Sequence, residues 1–143
     1  VCTVARPVAM APEAQATART VVVALRPRSI LVVDDNIDSG EMLVAILAGL
    51  EQLAVHAADG RAAVRLAREL RPEIILLDLG LPDIDGFEVA RLLRLEPNLA
   101  GTRIVALTGY ARDEDREKAR AMGFDGYAVK PLAFDELRAL LSA

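Results

Sequence analysis

Cysteine is nearly absent from this chain: Cys2 is the only one among 143 residues. A single thiol cannot build a disulfide framework or a cysteine-based metal site. Histidine is equally scarce. His56 stands alone, with nothing to pair with it as ligand or base, and reads as a solvated strand residue. Aromatic residues make up 3% of the chain. No apolar run approaches the ~18 residues of a membrane span, and the N-terminal stretch lacks the ~7–15-residue apolar core of a secretory leader. A cytoplasmic location without membrane contact is therefore expected. Excess positive charge is missing too: 17 basic against 21 acidic side chains leave a formal net charge of −4. A dedicated nucleic-acid binder is usually basic, so no nucleic acid is expected as a partner. Val1 in place of an initiating methionine points to a piece of a longer protein or a processed product.

The length fits one domain with a full core plus a short extension. Residues 1–28 differ in composition from the rest and read as a linker or tail from an upstream segment. Within them residues 1–7 have the make-up of a short strand, and residues 10–20 carry Ala, Pro and Thr without a helical apolar stripe. Residues 29–143 form the domain. Its centre is the run Ile74, Ile75, Leu76, Leu77, bounded by Pro72 before and by Gly80 and Pro82 after, which reads as a strand covered on both faces. Further strands are predicted over residues 30–33, 53–57, 103–107 and 126–129. Helices are predicted between and after them, with apolar faces Leu43, Ile46, Leu47, Leu50, then Ala63, Leu66, Ala67, Leu70, then Phe87, Ala90, Leu93, and finally Phe134, Leu137, Leu141. Asp59 is a plausible N-cap for the second helix. Residues 111–122 read as a charged surface helix ended by Gly123. Strands alternating with helices imply a parallel sheet covered on both faces, and right-handed crossovers leave few topologies. The predicted fold is α/β, a flavodoxin-like doubly wound five-stranded sheet of order 2-1-3-4-5 with five helices.

Polar residues end these apolar strands: Asp34 and Asp35 the first, Asp78 the third, Thr108 the fourth and Lys130 the fifth. In a parallel sheet those ends share one edge, where ligands bind in open α/β folds. Two unit charges ~5 Å apart at an effective dielectric of ~20 repel by about 3 kcal/mol, so three carboxylates against one lysine call for a cation. Hard oxygen ligands in a small pocket suit Mg²⁺. Other readings exist for each residue. Asp34 and Asp35 fit a helix N-cap, Thr108 a turn, Lys130 the surface, Tyr127 a half-buried strand position, and Asp83 and Asp85 a loop and helix cap.

Four stretches carry a resemblance: ILVVDDN from Ile30, LDLGLPDIDG from Leu77, LTG from Leu107 and YAVKP from Tyr127. Together, and each at a strand end, they resemble a response-regulator receiver domain, the phosphoacceptor module of two-component signalling. The resemblance implies that Asp78 accepts a phosphoryl group from a phosphohistidine. It implies direct Mg²⁺ ligation by Asp35, Asp78 and the backbone carbonyl of Gly80, with Asp34 acting mostly through a water. Thr108 would bond the phosphoryl oxygen and Lys130 would pair with it. Tyr127 matches the aromatic switch position, and a cis Lys130-Pro131 bond is expected. The partners implied are a histidine kinase or histidine phosphotransfer protein, with weak self-association through the fourth helix, fifth strand and fifth helix. The role is that of a signalling domain rather than an enzyme.

Three departures from the family pattern stand out. Gly80 and Tyr110 occupy positions that tune phosphoaspartate lifetime, and Ala133 is a poor cap for the last helix. The stretch from Gly123 to Leu132 is similar to receivers at the C-terminus of hybrid histidine kinases, an origin favoured here over a stand-alone regulator. An aspartyl phosphohydrolase would want an acid at position 80, where glycine stands, and the complete acidic set argues against a non-phosphorylated pseudo-receiver.

Overall fold

Ile74, Ile75, Leu76 and Leu77 are each at most 2% exposed, as the central strand of a doubly covered sheet must be. The computed structural model describes residues 26–109 and 113–142. In chain order the elements are β1 (Ser29–Val33), α1 (Ile37–Gly49), β2 (Leu53–Ala57), α2 (Gly60–Leu70), β3 (Ile74–Asp78) and α3 (Gly86–Arg94). A 3-10 turn at Pro97–Leu99 leads to β4 (Arg103–Thr108), α4 (Asp113–Ala121), β5 (Gly126–Val129) and α5 (Phe134–Ser142). The strands pair in parallel in the order β2-β1-β3-β4-β5, the topology expected from the sequence. The strand expected over residues 1–7 and the linker after it lie outside the described residues, as does Tyr110.

Alternate residues of each inner strand supply two cores. Leu31, Val33, Ile75, Leu77, Ile104 and Ala106 pack against α2 and α3, with Ala119 of α4 and Phe124. Ile30, Val32, Ile74, Leu76, Val105 and Leu107 face the other way, toward Leu47 of α1 and Leu137 and Leu141 of α5. Each fully buried Leu or Ile contributes about 1.5–3 kcal/mol, so this two-sided burial is what holds the strand ends in register.

Some helix faces are rotated from expectation. Ile46, Leu70 and Phe134 are 39%, 42% and 53% exposed, while Val44 packs on the core beside the expected Leu43 and Leu50, and Val64 is buried. Overlapping i, i+3 and i, i+4 stripes are both apolar in these helices, and the sheet beneath selects one. β2 is an edge strand, so Leu53 and Val55 face outward at 66% and 40% exposure. Its weak apolar pattern has that cause. Asn36, Asp59 and Asp85 cap α1, α2 and α3, accepting from the N–H groups of Ser39, Ala62 and Phe87. Ala133 offers no side-chain cap, but its N–H donates to Glu136 Oε1 at 3.1 Å. Half a capping box thus forms where none was expected.

Candidate functional site

The register brings the strand ends level. Val33 pairs with Leu77, Asp78 with Leu107 and Thr108 with Val129. The residues that follow or close these strands therefore meet at one edge. Oxygens of Asp34, Asp35 and Asp78 lie within 4.8 Å of one another. Asp34 is 2% exposed, Asp78 9% and Thr108 8%, while Asp35 stands in solvent. Lys130 Nζ donates to Asp34 Oδ2 at 2.9 Å and to Asp78 Oδ2 at 3.0 Å.

The second oxygen of each bridged carboxylate is also held. Asn36 N–H donates to Asp34 Oδ1 at 3.0 Å, and Gly80 N–H donates to Asp78 Oδ1 at 2.8 Å. Burial pushes the Asp34 carboxyl up; the hydrogen bonds from Lys130, the Asn36 N–H and Ser39 outweigh it and hold the group below the usual carboxylate range. Burial pulls the Lys130 ammonium down, but its bonds to Asp34 and Asp78 leave it above its ordinary value. Among the described residues no cation pairs with Asp35, the most exposed of the acidic trio.

The loops are fixed by close backbone approaches. A Cβ at Gly86 would come 2.7 Å from Leu79 Cα and 3.0 Å from Asp78 O, so only glycine lets α3 start this close behind the end of β3. Asp83 reaches from the same loop to α2, accepting from Gly60 N–H at 2.9 Å and Arg61 N–H at 3.1 Å. The loop and cap roles expected of Asp83 and Asp85 are thereby seen, whereas Asn36, not the Asp34-Asp35 pair, caps α1. Lys130 N–H donates to the Thr108 carbonyl at 2.7 Å, and the Lys130-Pro131 bond is cis as expected. Tyr127 is half-buried, with the Arg116 guanidinium 4.7 Å from its ring centroid.

His56 corrects the sequence reading. It is half-buried, not solvated, and its Nε2 lies 2.8 Å from the Asp34 carbonyl oxygen. With the proton on Nε2 the ring donates to that carbonyl. A methyl group at Gly40 would overlap the imidazole, so Gly40 in the first turns of α1 makes room for it. A glycine inside a helical pattern was the one sequence signal of this contact.

The donor set fits a hard divalent cation: three carboxylates whose oxygens lie within 4.8 Å of one another, with one lysine against three negative charges. A doubly wound parallel sheet with an acidic cluster at its carboxyl edge defines the architectural class of this chain. The chain matches the family described as the response regulator receiver domain over residues 30–142, and it belongs to that family. It is 31% identical over 107 residues to the polar-differentiation response regulator DivK of Brucella anthropi, covering 75% of this chain and 87% of DivK. The chemotaxis protein CheY4 of Vibrio cholerae superposes with a TM-score of 0.77 at 30% identity, over 81% of this chain and 97% of that one. The receiver domain of the sensor histidine kinase PA1611 from Pseudomonas aeruginosa, solved with a magnesium ion in its active-site cleft, gives 0.74 at 35% identity, over 81% and 95%. The chain is thus a receiver domain of two-component signalling, a class that binds Mg²⁺ at its acidic pocket and meets histidine kinases or phosphotransfer proteins. Among the described residues no helix is long and apolar enough to cross a membrane.

Proposed function

We propose that Asp78 accepts a phosphoryl group from a phosphohistidine and that the domain switches its partner surface in response. The observation that carries this reading is the Asp78 carboxylate at the end of β3, held between Lys130 Nζ and the Gly80 N–H beside two further carboxylates. Asp34, Asp35, Asp78 and the Gly80 carbonyl would hold Mg²⁺, which supplies charge neutralisation at the phosphoryl oxygens.

The chain's own groups do the rest. The Gly80 N–H fixes the Asp78 rotamer while the carboxylate attacks phosphorus. The new P–O bond forms as the P–N bond of the donor breaks, and the imidazole keeps the electron pair. Lys130 transfers its hydrogen bond from the Asp78 carboxylate to a phosphoryl oxygen. The Thr108 hydroxyl, on the next strand, moves to bond another. Phosphorylation adds about −1.5 to −2 charges, and the shift of Thr108 lets Tyr127 turn, altering the surface of α4, β5 and α5. That surface also carries the weak self-association.

Residues 29–143 form the receiver and residues 1–28 its linker. The similarity of the stretch from Gly123 to Leu132 to hybrid-kinase receivers supports a hybrid-kinase origin in the cytoplasm. Genomic sequence upstream of Val1 checks this: it encodes a kinase ATPase domain on the hybrid reading and a nearby initiating methionine on the stand-alone one.

NMR on one sample tests the function. With acetyl phosphate and MgCl₂, a phosphoaspartate ³¹P signal is expected, along with amide shifts at Thr108 and Tyr127. Neither is expected in EDTA or in Asp78→Asn. A signal of equal size from Asp78→Asn refutes the assignment, and shifts confined to the neighbourhood of Asp78 refute the switch.

A further inference from the structure

At the opposite, amino-terminal end of the sheet, four arginines border one cleft of about 370 Å³: Arg26, Arg28, Arg71 and Arg103. That volume lies in the range of small-molecule sites. Among the described residues Glu73 is the only acid that lines it, and Arg26 engages both of its oxygens, at 2.9 and 3.1 Å. Arg103 is anchored through Nη1 to the Leu140 carbonyl at 2.7 Å. Arg28 Nη1 is buried and has no hydrogen-bond partner among the described residues. Arg71, in the left-handed conformation that ends α2, joins no ion pair among them. Among the described residues four guanidinium groups less one carboxylate leave the cleft at +3, in a chain whose net charge is −4.

A guanidinium does not shed its proton, and a buried N–H without an acceptor is costly. An anion in the cleft supplies acceptors and countercharge to the guanidinium groups that line it. The segment that carries Arg26 and Arg28 is tied to the fold by hydrogen bonds. Buried Gln52 accepts from the Arg28 N–H at 2.9 Å and donates to the Arg26 carbonyl at 3.0 Å, and the Arg28 carbonyl accepts from the Leu53 N–H at 2.9 Å. We propose that this cleft binds a small polyphosphorylated anion. Guanidinium forks match phosphate oxygens two at a time, and the tetrahedral group offers acceptors to arginines arriving from different sides. Among the described residues no aromatic ring lines the cleft to stack a nucleobase, so recognition rests on the phosphates.

Pyrophosphate titrated into the full chain, in metal-free buffer at fixed ionic strength and followed by amide NMR, tests the proposal. Saturable shifts are expected at Arg28, Arg71 and Thr102, with none at Asp34, Asp78 or Lys130. Arg28→Gln and Arg71→Gln should each weaken binding about tenfold, whereas Lys130→Gln should leave it unchanged. Arg71 is exposed, so its variant serves even if Arg28→Gln fails to fold. The proposal is overturned if no saturable shift occurs, if the shifts centre on Lys130, if Arg71→Gln binds like the parent, or if citrate binds as tightly as pyrophosphate.

Discussion

Lys130 sets the electrostatics of the acidic pocket. Three neighbouring carboxylates would repel one another, but the lysine bridges two of them, Asp34 and Asp78. Among the described residues the charge left without a counter-ion is that of Asp35. Metal-free repulsion therefore concentrates on Asp35, and Asp35→Asn should raise the melting temperature in EDTA while largely abolishing the shift that MgCl₂ gives the parent. At free metal about tenfold above its dissociation constant that parental shift is RT ln 11, about 1.4 kcal/mol, or roughly 3–6 °C for a domain of this size. Calorimetry on both proteins checks this, and an undiminished Mg²⁺ shift in Asp35→Asn would remove Asp35 from the metal site. Asp34 behaves differently. Its folded-state acidity is strengthened, so its contribution is present above the ordinary value of 3.8 and is lost as pH falls through the lower folded value. Lys130, raised from 10.5, contributes below that value and loses its contribution as pH climbs through the higher one. In EDTA, acid should thus destabilise the parent more than Asp34→Asn below the ordinary carboxylate value. Parallel pH–stability curves for the two proteins would contradict that. The acidic residues, Thr108 and Lys130 were legible in the sequence because each interrupts or ends an apolar run. His56 was not, since its partner is the backbone of Asp34, reached only once β2 lies beside β1 in register.

At the scale of elements, α3 is placed by Gly86. Its Cα rests on the backbone of Asp78 and Leu79, so the helix start and the strand end are one packed unit. Gly86→Ala would push a methyl group into that backbone, and overpacking of this kind costs about 1–3 kcal/mol. Urea denaturation should show that loss; stability equal to the parent would mean that the loop can yield. Buried strands were readable as uninterrupted apolar runs, and the starts of α2 and α3 as Asp59 and Asp85 before such faces, whereas the cap of α1 was sought in Asp34-Asp35 and is Asn36. The face each helix buries was less readable, because α1 and α2 offer competing apolar stripes and only the sheet decides between them. The last helix shows the same limit. Ala133 looked unable to cap it, yet Glu136 reaches back to its N–H, a bond that local spacing permits and composition does not announce. Asp83 is a further case: it satisfies N–H groups of a helix more than twenty residues upstream, a pairing only the tertiary fold creates.

Across the whole molecule, charge is separated along the strands. The carboxyl edge of the sheet gathers Asp34, Asp35 and Asp78, and the amino-terminal end gathers Arg26, Arg28, Arg71 and Arg103. The two-sided core between them keeps both ends of the sheet in register. The topology and this carboxyl edge followed from the alternation of apolar runs. The arginine cleft did not, because its residues are scattered over three segments whose proximity only the sheet creates. The most direct test of the account is to locate the phosphoryl group chemically. The chain is treated with acetyl phosphate and MgCl₂, the acyl phosphate is reduced with borohydride, and peptide mass spectrometry identifies the altered residue. The account expects homoserine at position 78, dependent on Mg²⁺ and absent without acetyl phosphate. Modification at Asp34, Asp35 or elsewhere, or modification of Asp78 that is just as extensive in EDTA, would contradict it.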